Sequence, residues 1–172
     1  MNTLDAIKAR HSTRGFSDRQ ISDEDLEAIL FAGGQAAVGA ADFQSLKLYA
    51  VQDPELLKDI DAASARRPGT HPLYGAPTLV VLASKESILK SIEFTNAGCI
   101  IQNMMVAATD LGIDSIYLWM SMYGINGNPE LVKRLGFPEG FTCVGTMALG
   151  YADREFPKIK ADEQRIEVTY IR

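Results

Sequence analysis

The spacing of apolar residues divides the chain into short strands and helices. Apolar runs bounded by turn-forming residues predict strands at residues 46–51, 78–83 and 142–150. A short strand or extended segment is predicted over residues 115–120. The tail alternates apolar and polar positions over residues 164–171, which predicts a last strand with one buried face. Within a single chain, the simplest partner for this last strand is the chain's own sheet.

Helices are predicted by start and stop signals around periodic segments. Ser22 is a good N-cap, and the pair Gly33-Gly34 ends the helix that it opens. Further helices are predicted at residues 3–9, 53–63, 94–111 and 128–136. Four or five strands and five or six helices that do not strictly alternate indicate an α+β fold.

The helix at residues 94–111 is apolar on almost every side and is interrupted only by Gln102 and Asn103. A helix of this kind must be buried all round. In a chain of 172 residues, dimerisation would be an easy way to bury it. An ordinary core helix is the alternative interpretation of the same pattern.

The length of 172 residues predicts a single domain, residues 1–172. Because 47% of the residues are hydrophobic and 23% are charged, this domain can form a core without disulfides or metals. The formal net charge of −5 argues against a general nucleic-acid or anionic-membrane binder, which would carry a basic surface. A local basic pocket remains compatible with this charge. We expect a cytoplasmic protein, because the first residues lack a signal-peptide pattern and no apolar window is long enough to cross a membrane.

The cysteines and histidines give no indication of a metal site. Cys99 and Cys143 each lie in an apolar run, so both are expected to be buried small hydrophobic residues. There are only two histidines and no cluster at zinc-ligand spacing. His71 lies in the polar loop at residues 64–75, where it is either solvated or lines the mouth of a pocket as a proton donor.

The segment at residues 9–16 carries the clearest candidate chemistry. Arg10, Ser12 and Arg14 alternate directly after the first predicted helix. Two guanidinium groups and a hydroxyl suit a phosphate, or a ring edge that becomes negative on reduction. A solvated basic turn is the alternative.

Three segments resemble the nitroreductase family of FMN-dependent oxidoreductases. They are the opening Arg10-His11-Ser12-Thr13-Arg14 with Phe16, the central helix with its Gln102-Asn103 pair, and the strand end Leu149-Gly150-Tyr151. The resemblance implies a central, mostly antiparallel sheet flanked by helices. It also implies a homodimer in which the C-terminal segment crosses over and adds a strand to the partner's sheet.

The resemblance also implies which residues hold FMN, although several of them could instead be ordinary surface or core residues. No protein side chain is implied as catalytic, and no metal. Asp42 stands where the family has an asparagine, so it either accepts hydrogen bonds from the flavin or is an exposed loop carboxylate. Trp119 and Met120 replace small residues beside the ring, and Trp119 could instead be a core residue. Lys160 and Arg165 are implied to bind the phosphate, or are solvated. The implied set is Arg10, His11, Ser12, Arg14, Asp42, Gln44, Trp119, Met120, Lys160 and Arg165.

The implied activity is an NAD(P)H-dependent ping-pong reduction of a small electron acceptor. The acceptor would be a nitro compound, a quinone or an enone. Arg14 is implied to stabilise the anionic reduced flavin and so to tune its potential. Two alternatives stay open, namely an FMN-binding protein with little turnover, such as a sensor or flavin store, and a flavin-consuming or dehalogenating branch of the same superfamily.

Overall fold

A four-stranded antiparallel sheet forms the centre of the molecule. The computed structural model describes residues 1–87, 89, 91–155 and 164–172. The strands are β1 (Leu46–Val51), β2 (Thr78–Lys85), β3 (Asp114–Tyr117) and β4 (Phe141–Gly150). Their order in the sheet is β1-β2-β4-β3, and every neighbouring pair is antiparallel. β1 and β3 are therefore the two edges.

Six helices flank this sheet in the described part of the chain. They are α1 (Thr3–Ala9), α2 (Asp23–Gly34), α3 (Pro54–Ser64), α4 (Ile92–Asp110), α5 (Trp119–Asn126) and α6 (Pro129–Leu135). Two 3-10 turns, Gly39–Ala41 and Phe43–Ser45, precede β1. The α+β prediction is confirmed. No described helix is both long and apolar enough to cross a bilayer.

The helix boundaries follow from local capping chemistry. The Ser22 hydroxyl accepts a hydrogen bond from the Asp25 N–H, as the sequence predicts for an N-cap. Pro54 and Pro129 occupy the first turns of α3 and α6, where a missing N–H is not needed. Gly112, with φ +73°, follows the end of α4 in the left-handed conformation that glycine tolerates.

The core lies on both faces of the sheet. Leu79 and Val81 of β2 pack into the cluster that includes residues of α3, α5 and α6, whereas Val80 and Leu82 pack into the cluster with α2 and α4. β2 is thus buried on both faces, as its continuous apolar sequence predicts. Cys143 lies within the first cluster, and burial raises the pKa of its thiol to about 12, so the thiol is protonated at neutral pH.

Three predictions about local structure are wrong for the single chain. Residues 115–120 do not remain extended, because β3 ends at Tyr117 and helix α5 begins at Trp119. The tail at residues 164–172 forms no strand on the chain's own sheet, and its side chains are exposed. Cys99 is exposed rather than buried, because it lies on a face of α4 that this chain does not cover.

Helices α3 and α5 approach each other closely at Gly124. A Cβ atom there would lie 2.8 Å from the carbonyl oxygen of Ala63 and 2.8 Å from the Cα of Ser64. Gly124→Ala is therefore expected to push the helices apart and to lower the free energy of unfolding by about 1–3 kcal/mol, as overpacking does. Chemical denaturation measures the change. Gly34→Ala is the matched control, since no atom lies within 4 Å of its added Cβ. Equal stability of the two variants would contradict the close contact.

Candidate functional site

The segment at residues 10–17 is clamped against the ends of β3 and β4. The Thr13 N–H donates to the carbonyl of Ser115 at 3.1 Å, and the Asp153 N–H donates to the carbonyl of Gly15 at 3.1 Å. Phe16 forms an isolated antiparallel bridge with the residue after Tyr151. The alternating donors of this segment are consequently held on a fixed backbone and do not form a free turn.

The carboxylate of Asp114 fixes the same segment through side chains. It accepts hydrogen bonds from the Thr13 hydroxyl at 3.0 Å and from the Ala152 N–H at 2.9 Å. The His11 Nε2 lies 3.2 Å from it, and the His11 Nδ1 lies 3.2 Å from the carbonyl of Ala9. The imidazole of His11 is thus turned towards Asp114. The sequence analysis missed Asp114, because Thr13 precedes it by 101 positions and no local pattern links the two.

Arg10 and Arg165 come close enough for their charges to interact. Arg10 is half-buried, and desolvation of its guanidinium lowers its pKa, with the positive charge of Arg165 lowering it further. Two cations held together in this way create a region that favours an anion. Two predicted residues that are far apart in the sequence are therefore neighbours in the fold.

The other basic residues of the predicted site differ in how they are held. Arg14 is exposed, its Nη1 lies 3.4 Å from the carbonyl of Ser12, and its own carbonyl accepts a hydrogen bond from Arg154 at 3.1 Å. Ser12 is half-buried. Lys160 lies outside the described residues.

Asp42 and Gln44 lie at the other end of α4 from Arg10. Both are exposed, Asp42 between the two 3-10 turns before β1 and Gln44 in the second of them. The Gly39 N–H donates to the Asn96 side chain at 3.0 Å, which anchors these turns near the beginning of α4. Residues 10–17 are anchored beyond the end of α4, so the two anchor points are separated by roughly 20 Å of helix at the usual rise per residue. A single chain does not bring Asp42 and Gln44 to the arginine pair.

Trp119 begins α5 just after the end of β3. The preceding residue, Leu118, is fixed by β4, because its N–H donates to the carbonyl of Thr146 at 2.9 Å and its carbonyl accepts from the Thr146 hydroxyl at 2.6 Å. The Trp119 side chain is 44% exposed, so it is not a core residue. Its ring lies 5.9 Å from that of Phe94 and 6.1 Å from that of Tyr123. The sequence analysis missed these two neighbours.

A cavity of about 490 Å³ connects Met120 with the loop before β2. His71, Arg66 and Tyr74 also line it. The His71 Nδ1 lies 2.9 Å from Asp61, whose second oxygen accepts from the N–H of Leu73 at 2.8 Å. His71 therefore lies at a pocket mouth. Its side chain is also 77% exposed, so its position fits both interpretations of this residue, the pocket-lining one and the solvated one.

The described residues include no group of three or more histidine, cysteine, aspartate or glutamate side chains placed to hold a metal ion. The candidate site is instead a strip. Arginine and hydroxyl donors lie at one end of β3, and exposed aromatic rings with a cavity lie at the other. The distance from Ser115 to Trp119 along the chain is roughly 13 Å at the usual strand rise per residue.

Comparison with known proteins gives one consistent result. The model of the nitroreductase family matches residues 7–72 and 65–151. A protein of Archaeoglobus fulgidus, provisionally named NADH dehydrogenase/NAD(P)H nitroreductase, is 30% identical over 165 residues, which cover 94% of this chain and 91% of the relative.

Solved structures agree with this match. A nitroreductase with bound FMN from Desulfitobacterium hafniense is 28% identical, with a TM-score of 0.86, and the match covers 99% of this chain and 100% of that one. A nitroreductase with bound FMN from Bacteroides fragilis is also 28% identical, with a TM-score of 0.81 and the same coverage. Sequence and fold together establish that the chain belongs to the nitroreductase family.

Proposed function

We propose that this protein is an FMN-dependent NAD(P)H oxidoreductase that reduces a small planar electron acceptor and works as a homodimer. The observation that carries the proposal is the convergence of Arg10 and Arg165: burial lowers the pKa of Arg10, and the nearby charge of Arg165 lowers it further. Relatives with the same fold hold FMN, whose phosphate could accept hydrogen bonds from both guanidinium groups. FMN, when bound, supplies the redox chemistry by taking electrons from NAD(P)H and passing them to the acceptor.

The donor set fits such a group. Arg10 and Arg165 would hold the phosphate, with the Ser12 hydroxyl as a further donor. His11 is oriented by Asp114, so its contribution would come through its backbone. Arg14 would place a positive charge beside the part of the ring that becomes negative on reduction. Lys160 remains a candidate third cation for the phosphate.

The dimensions of the strip also suit a long cofactor with a charged end and a flat end. The backbone at Trp119 and Met120 would border the ring, since it lies at the far end of β3 from the arginine pair. The exposed rings of Trp119, Phe94 and Tyr123 offer a stacking surface for a planar acceptor such as a quinone, a nitroaromatic compound or an enone.

A homodimer would complete the site. Gly98, Cys99 and Gln102 form an exposed stripe at helical spacing on α4, which is otherwise a core helix. Packing this stripe on its symmetry copy would bury it, and a two-fold axis across the helix would make the pair antiparallel. The 39–45 segment of one copy would then approach the arginine end of the other, which gives Asp42 and Gln44 access to the cofactor.

Among the described residues, a second copy offers the tail one sheet edge that no other segment covers. β3 is covered on its outer side by residues 10–17 through the Thr13–Ser115 hydrogen bond, whereas β1 is the other edge of the sheet. Ile166, Val168 and Tyr170 are 49–76% exposed in the single chain and alternate as a strand does. Addition of this tail to β1 of a second copy would cover these side chains and the free edge.

The absorption spectrum of the purified protein tests the proposal. We expect a yellow protein that releases FMN on heating, loses its visible absorption when NAD(P)H is added without oxygen, and regains it with a quinone. A colourless protein that does not bind added FMN would contradict the function. A yellow protein that NAD(P)H does not bleach would support the second candidate, an FMN-binding protein with little turnover, which the bulk of Trp119 and Met120 near the ring favours.

A further inference from the structure

A strongly basic cavity lies beside the proposed ring site, in a chain whose net charge is −5. It has a volume of about 560 Å³ and is formed by the second half of α3 and the loop that follows. Its cationic lining residues are Lys58, Arg66 and Arg67, and Thr70 adds a hydroxyl.

The cavity lining carries more positive than negative charge. Among the described residues that line the cavity, Asp61 carries the one carboxylate. Both oxygens of that carboxylate are engaged, one by the Leu73 N–H at 2.8 Å and the other by the His71 ring at 2.9 Å. Three cations therefore face a carboxylate that is already hydrogen-bonded, and the balance favours an anionic ligand.

The loop that carries the arginines has a defined shape. The hydroxyl and the N–H of Thr70 both donate to the carbonyl of Arg67, at 2.8 and 3.3 Å. Arginines just beyond the end of α3 also suit the helix dipole. That effect does not account for Lys58, which lies well inside the helix and faces the same cavity.

This basic cavity adjoins the cavity that reaches Met120. Arg66, Thr70 and His71 line both of them. The first cavity contains the cations, and the second opens next to the backbone that borders the proposed ring site. An elongated ligand could place a reactive ring at Met120 and a phosphate among the cations.

We propose that Lys58, Arg66 and Arg67 bind the 2′-phosphate of NADPH and make this protein prefer NADPH over NADH. The assignment rests on the proposed function, because it places the electron donor at the same ring. Guanidinium groups match phosphate oxygens in a planar fork, and a 2′-phosphate is the one group that distinguishes the two donors. The remainder of the dinucleotide extends past the residues that line both cavities towards Met120.

Equilibrium binding to the FMN-loaded protein tests this assignment. NADP⁺, NAD⁺, 2′,5′-ADP and inorganic phosphate are titrated separately by calorimetry. We expect NADP⁺ to bind at least tenfold more tightly than NAD⁺, and 2′,5′-ADP to compete with it. The double variant Arg66→Gln with Arg67→Gln should lose at least tenfold in NADP⁺ affinity, with at most a threefold change for NAD⁺ and an unchanged FMN content.

The double variant Lys85→Gln with Lys133→Gln is the matched control, because it removes the same number of charges from other surfaces. It should bind NADP⁺ as the unaltered protein does. Equal affinity for NADP⁺ and NAD⁺, or an undiminished preference in the arginine variant, would overturn the assignment. Inorganic phosphate that competes as well as 2′,5′-ADP does would also overturn it, by showing a general anion site. In each of these cases, bleaching by either dinucleotide would leave the proposed function intact, whereas a flavin-free protein would remove the function itself.

Discussion

Replacing Arg10 and Arg165 together with alanine should lower FMN affinity at least a hundredfold while leaving the fold intact. Each guanidinium–phosphate contact is a charge-assisted hydrogen bond worth about 1.5–3 kcal/mol, so the loss of two contacts exceeds a factor of one hundred. The fold should survive, because Arg165 is exposed and Arg10 is half-buried beside a like charge. FMN fluorescence quenching measures the affinity, and circular dichroism measures the fold.

The double variant Lys85→Ala with Lys133→Ala is the control for a general change in charge. It should retain FMN, since both lysines lie away from the strip. Arg10→Lys with Arg165→Lys keeps the charges but removes the planar guanidinium groups. Its FMN affinity should lie between that of the unaltered protein and that of the alanine double variant. If the alanine double variant bound FMN as tightly as the unaltered protein does, Arg10 and Arg165 would not be part of the FMN site.

Local signals explain why the sequence predicts most of the fold. The boundaries of α1, α2, α3 and α6 depend on caps and prolines that act within one turn. The strands β1, β2 and β4 lie in apolar runs that no helix pattern matches. These elements are decided by neighbouring residues, so a reader of the sequence has the necessary information.

The start of helix α5 cannot be predicted from neighbouring residues in the sequence. Its N-cap, Leu118, makes no side-chain capping bond, and its residues show no apolar stripe that would mark a helix. The backbone before it is held by Thr146 of β4, through two hydrogen bonds across the sheet. Because this start signal comes from another strand, the sequence of α5 itself does not contain it.

Part of the candidate site can be predicted from neighbouring residues, and part of it cannot. The residues at 10–14 are recognisable because they are adjacent, and their pattern already indicates an anion. The proximity of Arg165, the clamp by Asp114 and the basic cavity at Arg66 depend on contacts between distant parts of the chain. Such contacts follow from the folded sheet and not from spacing in the sequence.

The exposed positions on α4 and in the tail have a common cause. Cys99 and Tyr170 both have the sequence surroundings of buried residues, and both are exposed in the single chain. Hydrophobic patterning reports burial in the functional assembly, whatever the number of chains that provide it. The two wrong predictions therefore agree with the homodimer proposed above.

Deletion of residues 167–172 should convert the protein to a monomer and lower its stability by on the order of 4 kcal/mol per subunit, since burying each of Val168 and Tyr170, which share one face of the added strand, contributes about 1.5–3 kcal/mol. Their exposure in the single chain is 49% and 75%. A chain that functions alone would lose almost nothing on their removal. Sedimentation velocity gives the oligomeric state, and thermal unfolding gives the stability.

The deletion keeps Arg165, so any loss of FMN must come from the loss of the second copy and not from a missing phosphate contact. Glu167→Ala with Thr169→Ala is the control, because these polar side chains alternate with Val168 and Tyr170 and would lie on the opposite face of the added strand. It should remain dimeric and retain FMN. A destabilised dimer after the deletion would mean that the tail packs on its own subunit. A monomer before and after the deletion, with unchanged unfolding, would rule out strand exchange.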